Sequence, residues 1–126
     1  MIDLSSYQAS LYKQLETLDY SVYDYIPSDA EFPFIGIGDI SFDSSDGHFN
    51  DLIDISQTIN VWSDWEGKKE INDISSKIIN HLLSVEEFQI SDNQSVYKIF
   101  LDASMSKETE GVYQAILNFR LTIRNK

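Results

Sequence analysis

The sequence predicts an α+β domain in which two α-helices pack on one face of an antiparallel β-sheet, in the order helix, strands, helix, strands. Two segments carry apolar residues at helical spacing, and several others alternate apolar and polar residues. The alternating segments are joined by short polar stretches rather than by helices, and strands joined in this way pair antiparallel. When one face of a sheet is polar and exposed to solvent, the helices need to pack only on its other face.

The composition predicts one acidic domain over residues 1–126. The chain is 42% apolar, which is enough material for a core. Nine Lys and Arg stand against 21 Asp and Glu, so the formal net charge is −12. A chain this acidic repels phosphate backbones, and its basic residues are scattered along the sequence. Free nucleic acid should therefore bind poorly.

Cysteine content and hydropathy exclude further classes. The sequence has no cysteine, which excludes disulfide scaffolds, thiolate zinc sites and thiol nucleophiles. No apolar run approaches the roughly 20 residues that span a bilayer. The N-terminus has no basic segment followed by an apolar one. We therefore expect a soluble protein that is not exported.

The first predicted element is a helix over residues 4–18. Its apolar stripe consists of Leu4, Tyr7, Leu11, Leu15 and Leu18. Further along, Pro27 and Pro33 prevent a continuing helix and favour extended backbone in the residues before them. This stretch is predicted to be a connector with a short strand near residues 22–25.

The next prediction is a strand over residues 34–42 that bends. Gly36 and Gly38 lie inside it, and glycine inside a strand usually marks a bulge or a close approach of backbone. The polar stretch over residues 43–51 is predicted to be a hairpin loop.

A strand over residues 52–62 follows, with apolar residues at alternate positions and Gln57 as the polar exception on the apolar side. A second helix is predicted over residues 68–83. Its apolar stripe consists of Ile71, Ile74, Ile78 and Leu82, widened by Ile79 and Leu83. Both elements therefore have one face for the core.

The last third of the chain is predicted to be strands. A short strand over residues 87–92 precedes a longer one over 96–102, and residues 105–111 form a turn. A long strand over residues 112–124 closes the chain. Its core face consists of Tyr113, Ala115, Leu117, Phe119, Leu121 and Ile123.

The polar loop offers one candidate metal site. His48 is surrounded in sequence by Asp43, Asp46 and Asp51, and such a mixture can bind a divalent cation. The loop lacks the oxygen spacing and the closing Glu of an EF-hand, so we predict no metal and no cofactor. The other histidine, His81, is predicted to lie on the second helix, at the boundary between its buried stripe and its exposed face. No nucleophile stands in a catalytic motif, so an enzyme is not expected.

Two tryptophans stand where the strand over residues 52–62 ends. Trp62 closes that strand and Trp65 enters the following turn. Large aromatic side chains at the end of an element either cover the core or anchor an interface. The sequence leaves both interpretations open.

Three stretches, taken in order, carry a family resemblance: VYDYIPSDAEFPFIGIGD, NVWSDWEGKKEINDISSKIINHLL and TEGVYQAILNFRLTI. They resemble the small tail terminator proteins, also called tail completion or head-to-tail joining proteins, of long-tailed bacteriophages and prophages. The matching positions are Val22, Tyr23, Asp24 and Pro27; Pro33, Phe34, Ile35 and Gly38; Gly47 and His48; Val61, Trp62, Ser63 and Gly67; and Glu110 and Gly111.

The resemblance implies a structural protein of the virion tail or neck, assembled in the cytoplasm of the bacterial host. Family members form a ring, commonly of six copies, that caps the head-proximal end of the tail tube. The ring ends tube polymerisation and provides the head–tail joining surface. The implied partners are further copies of the chain, the tail tube protein, and head-completion or connector proteins. DNA passes through without specific binding, and no membrane is involved.

Cyclic assembly requires a patch on one copy to meet a different patch on the next. The candidate assembly interface consists of Asp43, Asp46, His48, Phe49, Asp51, Trp62 and Trp65. Two alternatives stay open. One is another neck adaptor, such as a head-completion protein, and the other is a small ligand- or metal-binding module that uses the His48 loop.

Overall fold

The computed structural model describes residues 3–43, 52–85 and 87–125, and this part of the chain contains two helices and six strands. In chain order the elements are α1 (Leu4–Glu16), β1 (Ser21–Tyr23), β2 (Phe34–Asp43), β3 (Leu52–Ser63), α2 (Lys69–Ser84), β4 (Phe88–Ser91), β5 (Gln94–Thr109) and β6 (Val112–Asn125). The predicted α+β class with two helices is confirmed.

The six strands form one mixed sheet in the order β1-β2-β3-β6-β5-β4. The prediction of a purely antiparallel sheet is wrong, because β1 pairs with β2 in parallel. The other neighbouring strands pair antiparallel. The connection over residues 24–33 holds both prolines and leads the chain back to the end of the sheet where β1 began. A tight hairpin turn would instead have reversed the strand direction.

Both helices bury their apolar stripes in one core. The helical part of that core consists of Tyr7, Leu11 and Leu15 from α1 and Ile71, Ile74, Ile78 and Leu82 from α2. Odd-numbered residues of β3 and β6 form the sheet side of the core: Ile55, Ile59, Val61, Ala115, Leu117, Phe119, Leu121 and Ile123. His81 Nε2 lies 3.0 Å from Gln14 Oε1, so this boundary histidine joins the two helices. Within the described ranges, neither helix has the length and apolarity that crossing a bilayer demands.

The polar exception on β3 supports a bulge in the neighbouring strand. The β2–β3 register shifts between Ile37 and Ile40, so Gly38 lies in the predicted irregularity. Gln57 is 2% exposed, and its Nε2 donates to the carbonyl oxygens of Thr58 (2.9 Å) and Gly38 (3.2 Å). Its Oε1 accepts from the Tyr7 hydroxyl at 2.9 Å. One buried amide therefore ties α1 to the bulge and satisfies polar groups that burial would otherwise leave unpaired.

The buried Tyr7 hydroxyl predicts a loss of stability at alkaline pH. Burial raises the pKa of Tyr7 above its usual value of 10.0. The neutral hydroxyl is thus favoured in the folded state. Its contribution to the free energy of unfolding is complete below about pH 10 and is lost progressively as the pH rises above that value. We expect the free energy of unfolding, measured by urea titration, to fall more steeply above pH 10 in the parent than in Tyr7→Phe. Tyr25→Phe, at an 83% exposed position, is the control. Equal alkaline slopes in the parent and Tyr7→Phe would contradict the prediction.

Strand β5 is much longer than the sequence predicted. The turn expected over residues 105–111 is wrong, because β5 continues through Thr109 and pairs with β6 in unbroken register from Ala103 onward. The turn consists only of Glu110 and Gly111, whose φ angles are 52° and 83°. The polar residues of this stretch are exposed and need no alternation of apolar side chains, so periodicity does not reveal the strand.

Candidate assembly surfaces

The structure separates the predicted interface residues into two groups. Asp46, His48, Phe49 and Asp51 lie outside the described residues, and Asp43 is described as the last residue of β2. Their grouping with one another, and the metal-binding alternative at His48, stay predictions. Trp62 and Trp65 lie at the far end of β3.

Asp43 and the two tryptophans lie toward opposite ends of the sheet. Asp43 pairs with Asp54 near the start of β3, whereas Trp62 pairs with Phe34 near its end. The 12 residues of β3 span about 36 Å at the usual rise of a strand. The residues that flank the polar loop therefore cannot share one contact patch with the tryptophans.

Trp62 belongs to an aromatic cluster on the side of the sheet away from the helices. Its ring centroid lies 5.2 Å from that of Phe34, which also contacts the rings of Phe32 (5.3 Å) and Tyr23 (5.8 Å). Phe34 is 5% exposed, so the cluster excludes water from its centre. Trp62 therefore packs in this cluster rather than over the core, and its part in an assembly interface stays a prediction.

The absence of a side chain at Gly36 makes room for Trp62. A Cβ at this position would lie 2.6 Å from Trp62 Cζ3, which is closer than real contacts allow. We expect Gly36→Ala to lower the free energy of unfolding by about 1–3 kcal/mol, the usual cost of overpacking. In a Trp65→Phe background, where Trp62 is the sole tryptophan, its fluorescence emission should also shift. Unchanged emission together with unchanged urea stability would contradict this packing.

Trp65 is 59% exposed and lies beside a shallow groove at the start of α2. Its backbone N–H donates to Ser63 Oγ at 3.1 Å, and Ser63 Oγ donates to Glu70 Oε1 at 2.6 Å. These bonds fix the turn that presents the indole. The groove has a volume of about 290 Å³ and is lined by Trp65, Tyr20, Lys69, Glu70, Asp73, Ile74 and Lys77. An exposed indole held by a fixed turn is typical of an interface anchor.

The charged groups of this groove are paired and solvated. Lys69 Nζ lies 2.9 Å from Asp73 Oδ2, and this hydrogen bond raises the pKa of Lys69. Lys77 Nζ lies 3.0 Å from the Tyr20 hydroxyl and 5.3 Å from the centre of its ring, and the hydrogen bond raises the pKa of Lys77. Both lysines therefore stay protonated at neutral pH and cannot serve as bases.

The sheet face opposite the helices, which we call the open face, gathers basic residues that are far apart in the sequence. Arg120 and Arg124 occupy even-numbered positions of β6, and Lys98 and Lys107 lie opposite Thr122 and Gln114 of that strand. These four exposed side chains are among only nine Lys and Arg in the chain. In the sequence these basic residues are scattered, and the grouping was missed because only the pairing of β5 with β6 brings them to one face.

No catalytic or metal-binding arrangement is found in the described part of the chain. Within it, no three His, Asp or Glu side chains converge as metal ligands would. Polar pairs on the open face join side chains of neighbouring strands, as in Thr58 with Asn118 at 2.7 Å and Thr122 with Asp54 at 2.9 Å. These pairs stabilise the sheet and do not form a pocket.

Comparison with known proteins identifies the family. The family model described as "Tail completion protein gp17" matches residues 9–124. Among solved structures, the fold is similar to a chain of the "Virion of native gene transfer agent (GTA) particle", with a TM-score of 0.74, 18% sequence identity and 94% of each chain covered. Comparison with curated proteins gives no match.

Proposed function

This chain belongs to the family of the tail completion protein gp17, and we propose that it caps the head-proximal end of a phage tail tube as a ring. The ring ends polymerisation of the tube and provides the surface to which the filled head joins. The protein is a structural component of the phage virion, in its tail or neck. The family match over residues 9–124 carries this proposal.

The structure supports a role in assembly through what it exposes. The described surface presents large apolar side chains rather than a catalytic pocket, including Tyr25 (83% exposed), Trp65 (59%) and Met105 (58%). Large exposed apolar side chains are candidates for contact with a partner, and tryptophan is among the side chains most enriched at interface hot spots. We therefore assign no enzymatic reaction to the chain, and its partners are copies of itself, the tail tube protein and a head connector.

Electron microscopy of the purified protein mixed with polymerising tail tube protein tests this function. We expect tubes of limited length with additional density at one end, and longer tubes when the protein is left out. Tubes of unlimited length with the protein left in solution would contradict the proposal. Binding to heads instead of tubes would identify the neighbouring adaptor function, that of a head-completion protein.

A further inference from the structure

The sheet has two strand edges that the described residues leave unpaired. Strand β4 pairs with β5 only at Gln94, Ser95 and Val96, so residues 97–109 of β5 have no described strand on that side. Likewise, β1 pairs with β2 only over residues 34–36, which leaves residues 37–43 of β2 without a described neighbour. Such edges present rows of N–H and C=O groups that can pair with another chain.

The directions of the two edge strands are complementary. Strand β2 is antiparallel to β3, β3 to β6, and β6 to β5, so β2 and β5 run in opposite directions. In a ring whose rotation axis runs along the strands, each strand has the same direction in every copy. The β5 edge of one copy therefore meets the β2 edge of the next copy in antiparallel orientation, and every copy turns the same face of its sheet toward the axis.

Large apolar side chains are exposed along both edges, on different faces of the sheet. Ile40 (37%) and Phe42 (50%) of β2 lie on the helix side, opposite Gln57 and Ile55, whereas Phe100 (42%) and Met105 (58%) of β5 lie on the open face. The β5 edge carries exposed Lys98 and Lys107, and the β2 edge carries exposed Asp39. Apolar edges of this length invite aggregation unless a specific neighbour covers them.

Bulges restrict where new pairing can occur. They interrupt β2 between Ile37 and Ile40, and β5 between Val96 and Lys98 and again between Leu101 and Ala103. The regular stretches that remain are residues 40–43 of β2 and 103–109 of β5. Because bulges twist an edge away from a partner, these two regular stretches are the segments fit to pair.

We propose that the 103–109 edge of β5 in one copy pairs antiparallel with the 40–43 edge of β2 in the next copy. The sheet then continues from copy to copy around the ring. This inference rests on the proposed ring function and deepens it by naming the contact between neighbours. Each copy uses two different edges, as a closed cyclic assembly requires.

Cysteine cross-linking tests the contact directly. The chain has no cysteine, so the introduced thiols are the only ones in each variant. Ser41 and Met105 both lie on the open face, opposite Ser56 and Ile116. The variant carrying Ser41→Cys and Met105→Cys is treated with a short bis-maleimide in two conditions. In one the variant protein is alone at high concentration, and in the other it is mixed with polymerising tube protein. The matched control carries Ser76→Cys, on the exposed side of α2, with Met105→Cys.

We expect the edge variant to give a ladder of covalent oligomers that ends at a closed ring, and the control to give no ladder. A second edge variant carries Ser41→Cys with Ala103→Cys and so retains the exposed Met105. Capped tubes without a ladder from either edge variant overturn the proposed contact and leave the capping function standing. A ladder with uncapped tubes supports the contact and contradicts the capping function. Absence of both overturns both proposals, and equal ladders from edge variant and control overturn the contact.

Discussion

Replacing Gln57 with Leu is expected to lower the free energy of unfolding by about 2–4 kcal/mol. The side chain is 2% exposed and is bonded to the Tyr7 hydroxyl and to the carbonyl oxygen of Gly38 in the β2 bulge. A leucine has nearly the same size but offers no polar atom, and each buried group left without a partner costs about 1–3 kcal/mol. Urea denaturation of the parent and the variant measures the loss.

The Tyr7–Gln57 bond gives this prediction an internal control. Tyr7→Phe alone leaves Gln57 Oε1 without its donor, and the double variant removes both members of the bond. We expect the double variant to be more stable than the sum of the two single losses predicts, by about 0.5–3 kcal/mol. Strict additivity would contradict the Tyr7–Gln57 bond, and a Gln57→Leu variant as stable as the parent would show that the amide does not support the bulge.

Replacing Trp65 with Ala is expected to weaken capping of tail tubes by about tenfold or more without destabilising the fold. Truncation of an anchoring tryptophan in an interface typically costs 2 kcal/mol or more, and about 1.4 kcal/mol corresponds to tenfold in affinity. The indole is 59% exposed, so the free energy of unfolding should change by less than about 0.5 kcal/mol. The protein concentration at which half the tubes are capped measures the effect.

Trp62 and Tyr25 provide matched controls for Trp65. Trp62→Ala removes a ring that packs on Phe34, so it should lower the free energy of unfolding by about 3 kcal/mol. Tyr25→Ala removes an aromatic side chain that is 83% exposed but lies outside the groove. If Trp65→Ala caps tubes at the same protein concentration as the parent, then Trp65 is not an anchor.

Periodicity predicted the elements that bury one face. The two helices, β3 and β6 were all predicted within about two residues of their ends, because each carries a regular apolar pattern set by the single core. Gln57 was visible as an exception to that pattern. Its hydrogen-bond partners lie in the bulge of β2 and at Tyr7 of α1. The local pattern of β3 holds no information about them.

The elements that periodicity missed lack a one-sided environment. The second half of β5 is exposed throughout and therefore reads as a polar turn, and β1 has only three residues. The parallel pairing of β1 depends on the path of residues 24–33 rather than on the residues of the strand. The two tryptophans, three residues apart in sequence, were also treated as one feature, although one packs in the aromatic cluster and the other lies beside the groove.

The length of β3 has a consequence for how a virion part of this kind can evolve. If the strands lie along the axis of the ring, their two ends become its upper and lower rims, and β3 sets the height between them. The rim that holds Trp65 and the rim that holds Asp43 and Leu52 would then lie farther apart than any side chain reaches. Each rim would thus be free to change its specificity while the other keeps its partner.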